Sequence, residues 1–309
     1  MGELDLAAVR AFAVVAATRH FGDAAVDLGI TQQAVSKRVA RLEADLGVAL
    51  FARQRSGADL TPDGAAFLPH ATRLLATADA AVAAARGGRA ALRVDVLDTR
   101  LAGTDLLRGF HRHAGDVDLE LVTSTGLRES RGAVLACRVD AAFARVTGPL
   151  DGLRSAPACL DPLELLVAAD HPLAGRASVA LAELAGMTAW MPGNEPGSEW
   201  AAYYAALGPE FGIEIDVSGP NFGYEDFVRR LGESSSVIGF GGELVALPRR
   251  EDVVAIPVSA PRPCYLWSLV WREDTANPAV RRLVDYVSAQ YTRPRSDEVW
   301  LPAEDWSMV

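Results

Sequence analysis

Apolar residues recur every three or four positions from the start of the chain. Leu6, Val9, Phe12 and Ala16 share one helical face, with Asp5 placed to cap it. His20-Phe21-Gly22 breaks that spacing, a short alanine-rich helix spans Asp23 to Leu28, and Gly29 ends it. Thr31 caps a third helix whose apolar stripe is Val35, Val39, Leu42 and Leu46, stopped by Gly47. Two helices, a tight glycine turn and a further helix form the helix-turn-helix layout. From Val48 to Thr61, short apolar ends flank a basic, glycine-containing tip, the pattern of a two-stranded wing. Thr61 as cap and Pro62 at the first helical position open a long helix that runs to Gly87-Gly88. Its narrow stripe of Phe67, Ala71, Leu74, Ala78, Ala81 or Val82, and Ala85 suits a partner helix, and Pro69 should kink or open it.

From Ala90 onward strands and helices alternate. Strands are expected at 92–97, 119–122, 141–144, 163–169, 188–191, 213–217, 237–240 and 266–271. Helices are expected at 106–113, 129–137, 198–207, 224–231 and 278–291. This is an α/β pattern, and two such groups with a late return of the chain imply two lobes around a cleft. The expected organisation is a winged helix-turn-helix at 1–61, a linker and dimerisation helix at 62–89, a two-lobed α/β domain at 90–292 and a tail at 293–309 that is either loose or docked through Trp300 and Trp306.

Charge changes the picture for the N-terminal part alone. The chain carries a net −10, which taken whole argues against nucleic acid. Residues 1–60 nevertheless hold seven basic and seven acidic side chains, so the whole excess lies beyond them. Lys37 to Arg55 contains five basic groups and two acidic ones. Opposite the apolar stripe of the third helix stand Gln32, Gln33, Ser36, Lys37 and Arg41, with Arg53 and Arg55 on the wing. Amides pair bidentately with adenine edges, and lysine or arginine with guanine or phosphate, so this surface is a candidate reader of double-stranded DNA.

Other chemistry is sparse. Cys137, Cys159 and Cys264 make no disulfide framework or metal pattern, and a redox role for Cys137 and Cys159 stands against buried, inert thiols. His111 and His113 lie near Asp116 and Asp118 at a spacing that matches no strong metal site. There is no nucleophile elbow and no phosphate-binding Gly-Lys-Ser/Thr loop, so no catalytic residue and no cofactor is expected. The rival readings are an α/β enzyme and a small-molecule-binding protein with no DNA role; the second leaves residues 1–60 without a purpose. No apolar run is long enough to span a bilayer and no basic leader opens the chain, which together point to the cytoplasm and to no membrane partner.

The residues Phe21-Gly22-Asp23-Ala24-Ala25, Leu28 to Ser36, Val39, Arg41-Leu42-Glu43, Leu46-Gly47, Leu50-Phe51, Arg53 and Leu60 to Gly64 together resemble the DNA-binding segment of LysR-type transcriptional regulators. Ala169 to Leu173 and Leu269 to Arg272 resemble that family's sensing domain. Two departures stand out: Gln33 occupies a position where proline is common, and Arg55 comes one residue earlier than is frequent. The resemblance implies a sensing domain shaped like periplasmic binding proteins, a homodimer or homotetramer on DNA, and RNA polymerase as a further candidate partner. It also implies a small-molecule effector held between the lobes, against loops that carry Thr99, Arg100, Thr125, Gly126, Arg145, Asn194 and Tyr224. An anionic effector is expected, with Arg100 or Arg145 as counter-charge and Trp190, Phe222 and Tyr224 as an apolar wall. The alternative is a neutral pocket, with those arginines paired internally to Asp98 or Asp140.

Overall fold

The computed structural model describes residues 4–52, 58–85, 91–124, 126–194, 196–245 and 250–309. These fall into two compact units, one built on residues up to 90 and one on the α/β region that follows.

The first unit is helical. Helices α1 (Leu6–Thr18), α2 (Phe21–Leu28) and α3 (Gln32–Leu46) pack around Phe12, Val15, Val35, Val39 and Leu42. The caps act locally: the Asp5 carboxylate accepts from Ala7 N–H at 2.9 Å and Thr31 Oγ1 from Ala34 N–H at 3.2 Å. Gly29 and Gly47 end α2 and α3 in the left-handed region, at φ 62° and 73°. Helix α2 starts at Phe21 rather than Asp23, because His20 turns its ring to accept from Asp23 N–H and caps it. Helix α4 (Pro62–Ala85) is capped by Thr61 Oγ1, 2.9 Å from Gly64 N, and stays helical through Pro69. Its Ala71 and Leu75 are buried in the unit's core, whereas Leu74 and Val82 are exposed.

In the second unit, β1 (Leu92–Val96), β2 (Leu119–Thr123) and β3 (Ala141–Ala144) pair in parallel, and all four residues of β3 are buried. Helices α5 (Ala102–His113) and α6 (Leu127–Leu135) alternate with them. Strand β4 (Leu153–Ala168) is much longer than the expected 163–169. Residues 153–162 pair antiparallel with a second long strand, and 163–168 pair with β7 and β8. After β4 come β5 (Thr188–Trp190), α7 (Glu199–Phe211), β6 (Glu214–Asp216), α8 (Tyr224–Leu231), β7 (Gly239–Gly242) and β8 (Val253–Pro257). The long partner is β9 (Arg262–Arg272), which joins β3 on one edge and β4 on the other; α9 (Pro278–Gln290) follows it. Two long strands therefore belong to both halves of this unit. The tail is docked rather than loose: β10 (Val299–Trp300) adds in parallel to β9, and Trp300 and Leu301 are buried.

Candidate nucleic-acid interface and ligand cavity

Helix α3 splits its side chains cleanly. Val35, Val39 and Leu42 are buried, and Gln32, Gln33, Ser36, Lys37 and Arg41 are exposed together at and beyond its N-terminal end. Of these, Arg41 is engaged with Asp45 at 3.8 Å, an exposed pair one turn on. Arg53 and Arg55 lie outside the described residues. The base of the wing is present as an antiparallel bridge between Phe51 and Leu60. Glu43 holds that base to α3: its carboxylate accepts from Leu50 N–H at 2.7 Å and Phe51 N–H at 3.2 Å. No spacing in the sequence discloses this role, since Glu43 reads as one more polar position of α3. Gly64 is required for close approach, because a Cβ there would sit 2.1 Å from Leu50 O.

Within the second unit a cavity of about 1130 Å³ opens between its two halves. Of the expected ligand residues, Arg100, Gly126, Asn194 and Tyr224 line it. Thr99 is exposed and does not line it, Thr125 lies outside the described residues, and Trp190 and Phe222 are not on its wall. Four helix N-termini converge there: Leu101 ahead of α5, Leu127 to Glu129 opening α6, Ser198 to Trp200 opening α7, and Gly223-Tyr224 opening α8. First-turn N–H groups and the helix dipole favour negative charge at each of these ends. The apolar floor is Trp200, Tyr204, Phe227 and Phe240, with Trp200 stacked on the buried Tyr265 at 4.0 Å. Asn194 Nδ2, Tyr204 Oη and Tyr224 Oη are buried on this wall and make no hydrogen bond to the described residues.

The two arginines fare differently. Arg100 lies in the cavity wall with its Nη2 2.7 Å from Asp98 Oδ2 and its guanidinium 5.7 Å from the Tyr224 ring. Hydrogen bonds from Arg100 pull the Asp98 carboxyl below its usual range, and the same bonds raise the arginine. The internal pairing with Asp98 is thus present, at a site still open to the cavity. Arg145 is not a cavity residue. Its side chain is fully buried, with Nε and Nη2 each 2.9 Å from the Asp305 carboxylate. Nor is Asp140 its partner: that carboxylate accepts from Arg93 N–H at 2.8 Å. The pairing joins residues far apart in the chain, which local spacing could not foreshadow. Sequence reasoning also missed Glu199, a buried carboxylate that accepts from the N–H groups of Leu127 and Arg145. Burial raises its pKa, against the pull of those two donors.

Residues 6–65 match the profile of the bacterial regulatory helix-turn-helix proteins of the lysR family, and residues 85–292 match the LysR substrate binding domain. The chain belongs to the LysR family. It is a LysR-type DNA-binding transcriptional regulator with an effector-binding domain, and not an enzyme. A probable hydrogen peroxide-inducible genes activator of Mycobacterium xenopi is 34% identical over 180 residues, covering 56% of this chain and 95% of its own. A protein of the same description from Mycobacterium avium is 33% identical over 186 residues, 58% of this chain and 60% of its own length. The fold is that of solved full-length family members. A full-length OxyR variant from Pseudomonas aeruginosa superposes with a TM-score of 0.72 at 20% identity, over 96% of this LysR-type chain and 100% of that one. CbnR superposes with a TM-score of 0.66 at 23% identity, over 94% and 100%. No helix among the described residues is long and apolar enough to cross a membrane.

Proposed function

We propose that this regulator reads DNA bases with Gln32, Gln33, Ser36 and Lys37, steadies itself on phosphate with Arg41, Arg53 and Arg55, and answers to a small anionic molecule in the cavity of its second unit. The convergence of four helix N-termini on that cavity carries the ligand reading. Arg100 supplies the one expected counter-charge that the wall presents, and Gly126, Asn194 and Tyr224 supply close approach and hydrogen bonds. The aromatic floor favours an acid with an apolar or aromatic body. Pairing of two chains through the exposed stripe of α4 would set two α3 helices on an inverted repeat, in the cytoplasm where the DNA lies.

Peroxide is the response in the names of two relatives, and it finds little support in the thiols of Cys159 and Cys264. A cysteine attacks as thiolate. Burial, with Asp161 nearby, pushes the Cys159 thiol up to about 12. Burial pushes Cys264 up to about 12 as well, with Asp161 adding and Arg262 opposing. A thermal-shift screen of the full chain with small acids, neutral metabolites and amines tests the anion reading. Stabilisation by carboxylates that is lost in Arg100→Ala is expected. Stabilisation by neutral or cationic compounds alone, unaffected by that substitution, would overturn the anion while leaving the family assignment untouched.

A further inference from the structure

We infer that the C-terminal segment is a working part of the ligand cavity: Asp305, acting through Arg145 and Glu199, positions the N-terminal turn of α6 on the cavity wall. The inference rests on reading that cavity as the effector site. The segment lies beyond residue 292, where the match to the family's substrate-binding profile ends.

The connection is continuous and buried. Strand β10 seats Trp300 against Tyr203 at 5.6 Å and Phe211 at 5.7 Å, which carries Asp305 inward until it is 1% exposed. The Arg145 guanidinium meets the Asp305 carboxylate as a two-point fork, and its Nη2 also reaches Glu304 at 2.6 Å. Its Nη1 donates to the main-chain oxygen of Glu199 at 3.2 Å. The next link is the Glu199 side chain, which accepts from Arg145 N–H at 2.9 Å through one oxygen and from Leu127 N–H through the other. Leu127 opens α6 and lines the cavity, as does Glu199 itself. Gly126 makes this possible: at φ 129° with no side chain, it leaves the room that a Cβ 2.7 Å from Glu199 Oε1 would take.

A fully buried guanidinium cannot lose its anionic partners without finding others. The two from the tail neutralise Arg145 so that Glu199 remains free to hold Leu127. With the Asp305 charge removed, the exposed Glu304 is the one carboxylate left on the guanidinium, and Glu199, which already accepts from the Arg145 main chain, is the buried carboxylate that can turn toward it, releasing Leu127 N–H. Asp305 and Glu199 are positioning residues in this scheme. Its reach into the cavity is the freed donor and loosened turn of α6 that an incoming anion would then meet.

Hydrogen exchange on the full-length protein without ligand tests this separately from the anion reading. In Asp305→Asn, amides of residues 127–131 should exchange faster by on the order of tenfold, while β1 and β2 exchange as in the wild type. Coupling is reciprocal, so Glu199→Gln should speed exchange in residues 299–307 and spare the same two strands. Asp305→Glu should restore slow exchange at 127–131. Faster exchange confined to residues 299–309 in Asp305→Asn, or a rise in β1 and β2 equal to that in α6, would overturn the inference. If Asp305→Asn does not fold, the Glu199→Gln arm decides alone, and an unchanged tail refutes the coupling.

Discussion

Replacing Gly64 by alanine sets two effects of opposite sign against each other. Alanine in a helix is better than glycine by about 1 kcal/mol, so a helical glycine is normally a place to gain stability. Here the added Cβ would lie 2.1 Å from Leu50 O and 2.9 Å from Leu50 C, both main-chain atoms that no rotamer change can move. Relief requires the first turn of α4 to retreat from the wing by about 1 Å. That retreat stretches the bonds that join them, Thr61 N–H to Leu50 O at 2.9 Å and Thr61 Oγ1 to Ala49 O at 2.6 Å. Two weakened hydrogen bonds at about 1 kcal/mol each, with overpacking strain of about 1–3 kcal/mol, exceed the propensity gain. A net loss of about 2 kcal/mol in a unit of this size corresponds to a fall in Tm of roughly 10 °C. The assay follows from composition. All six tryptophans lie at position 190 or later, so tryptophan fluorescence reports the second unit alone, while far-UV circular dichroism also reports α1 to α4. In Gly64→Ala the helical loss should come early with the fluorescence transition unmoved, and DNA binding should fall with it. A first unit that melts at the wild-type temperature or above would show that α4 and the wing have slack, and the close-approach argument would fail.

Gln33→Ala should cost roughly 1–3 kcal/mol on the cognate site and less on a site changed at the base pair it reads; equal losses on both, or none, would remove Gln33 from base reading. Leu74→Glu places a charge in the exposed stripe of α4, so sedimentation should show smaller species with weaker DNA binding, and an unchanged assembly state would take this helix out of the interface. Burial lifts the Asp161 carboxyl from 3.8 up to about 6, opposed by Leu244 N–H and Trp267 and reinforced by Glu243 and Glu164. The folded chain thus binds that proton more tightly than the unfolded one. Its contribution is present below pH 4 and is lost as pH rises through about 6, by about 3 kcal/mol. Urea unfolding followed by tryptophan fluorescence should show this slope in the wild type and a flatter one in Asp161→Asn; identical slopes would place the proton elsewhere.

What the sequence determined by itself was the part governed by neighbours in the chain. Asp5, Thr31 and Thr61 cap helices through bonds to groups two or three residues away, and Gly29 and Gly47 stop them through their own backbone angles. The apolar stripe of α3 likewise settles which of its side chains are left exposed, and the ordered matches from Phe21 to Gly64 carry the family. Four of the seven expected ligand residues line the cavity because strand-to-helix loops in an alternating fold gather where the helices begin. Tertiary structure decided the rest. Strand β4 does not read as one strand, since Pro157, Asp161 and Pro162 interrupt its apolar pattern; it is held instead by β9 along one part and by β7 and β8 along the other. The sequence leaves the tail open between loose and docked because its order comes from β9, Tyr203 and Arg145, none of them nearby in sequence. Arg145 and Arg100 each follow a strand and look alike in the sequence. One is sealed against a carboxylate 160 residues away and the other faces the cavity, and only the folded path of the chain separates them, because a charge's role is set by what surrounds it in space.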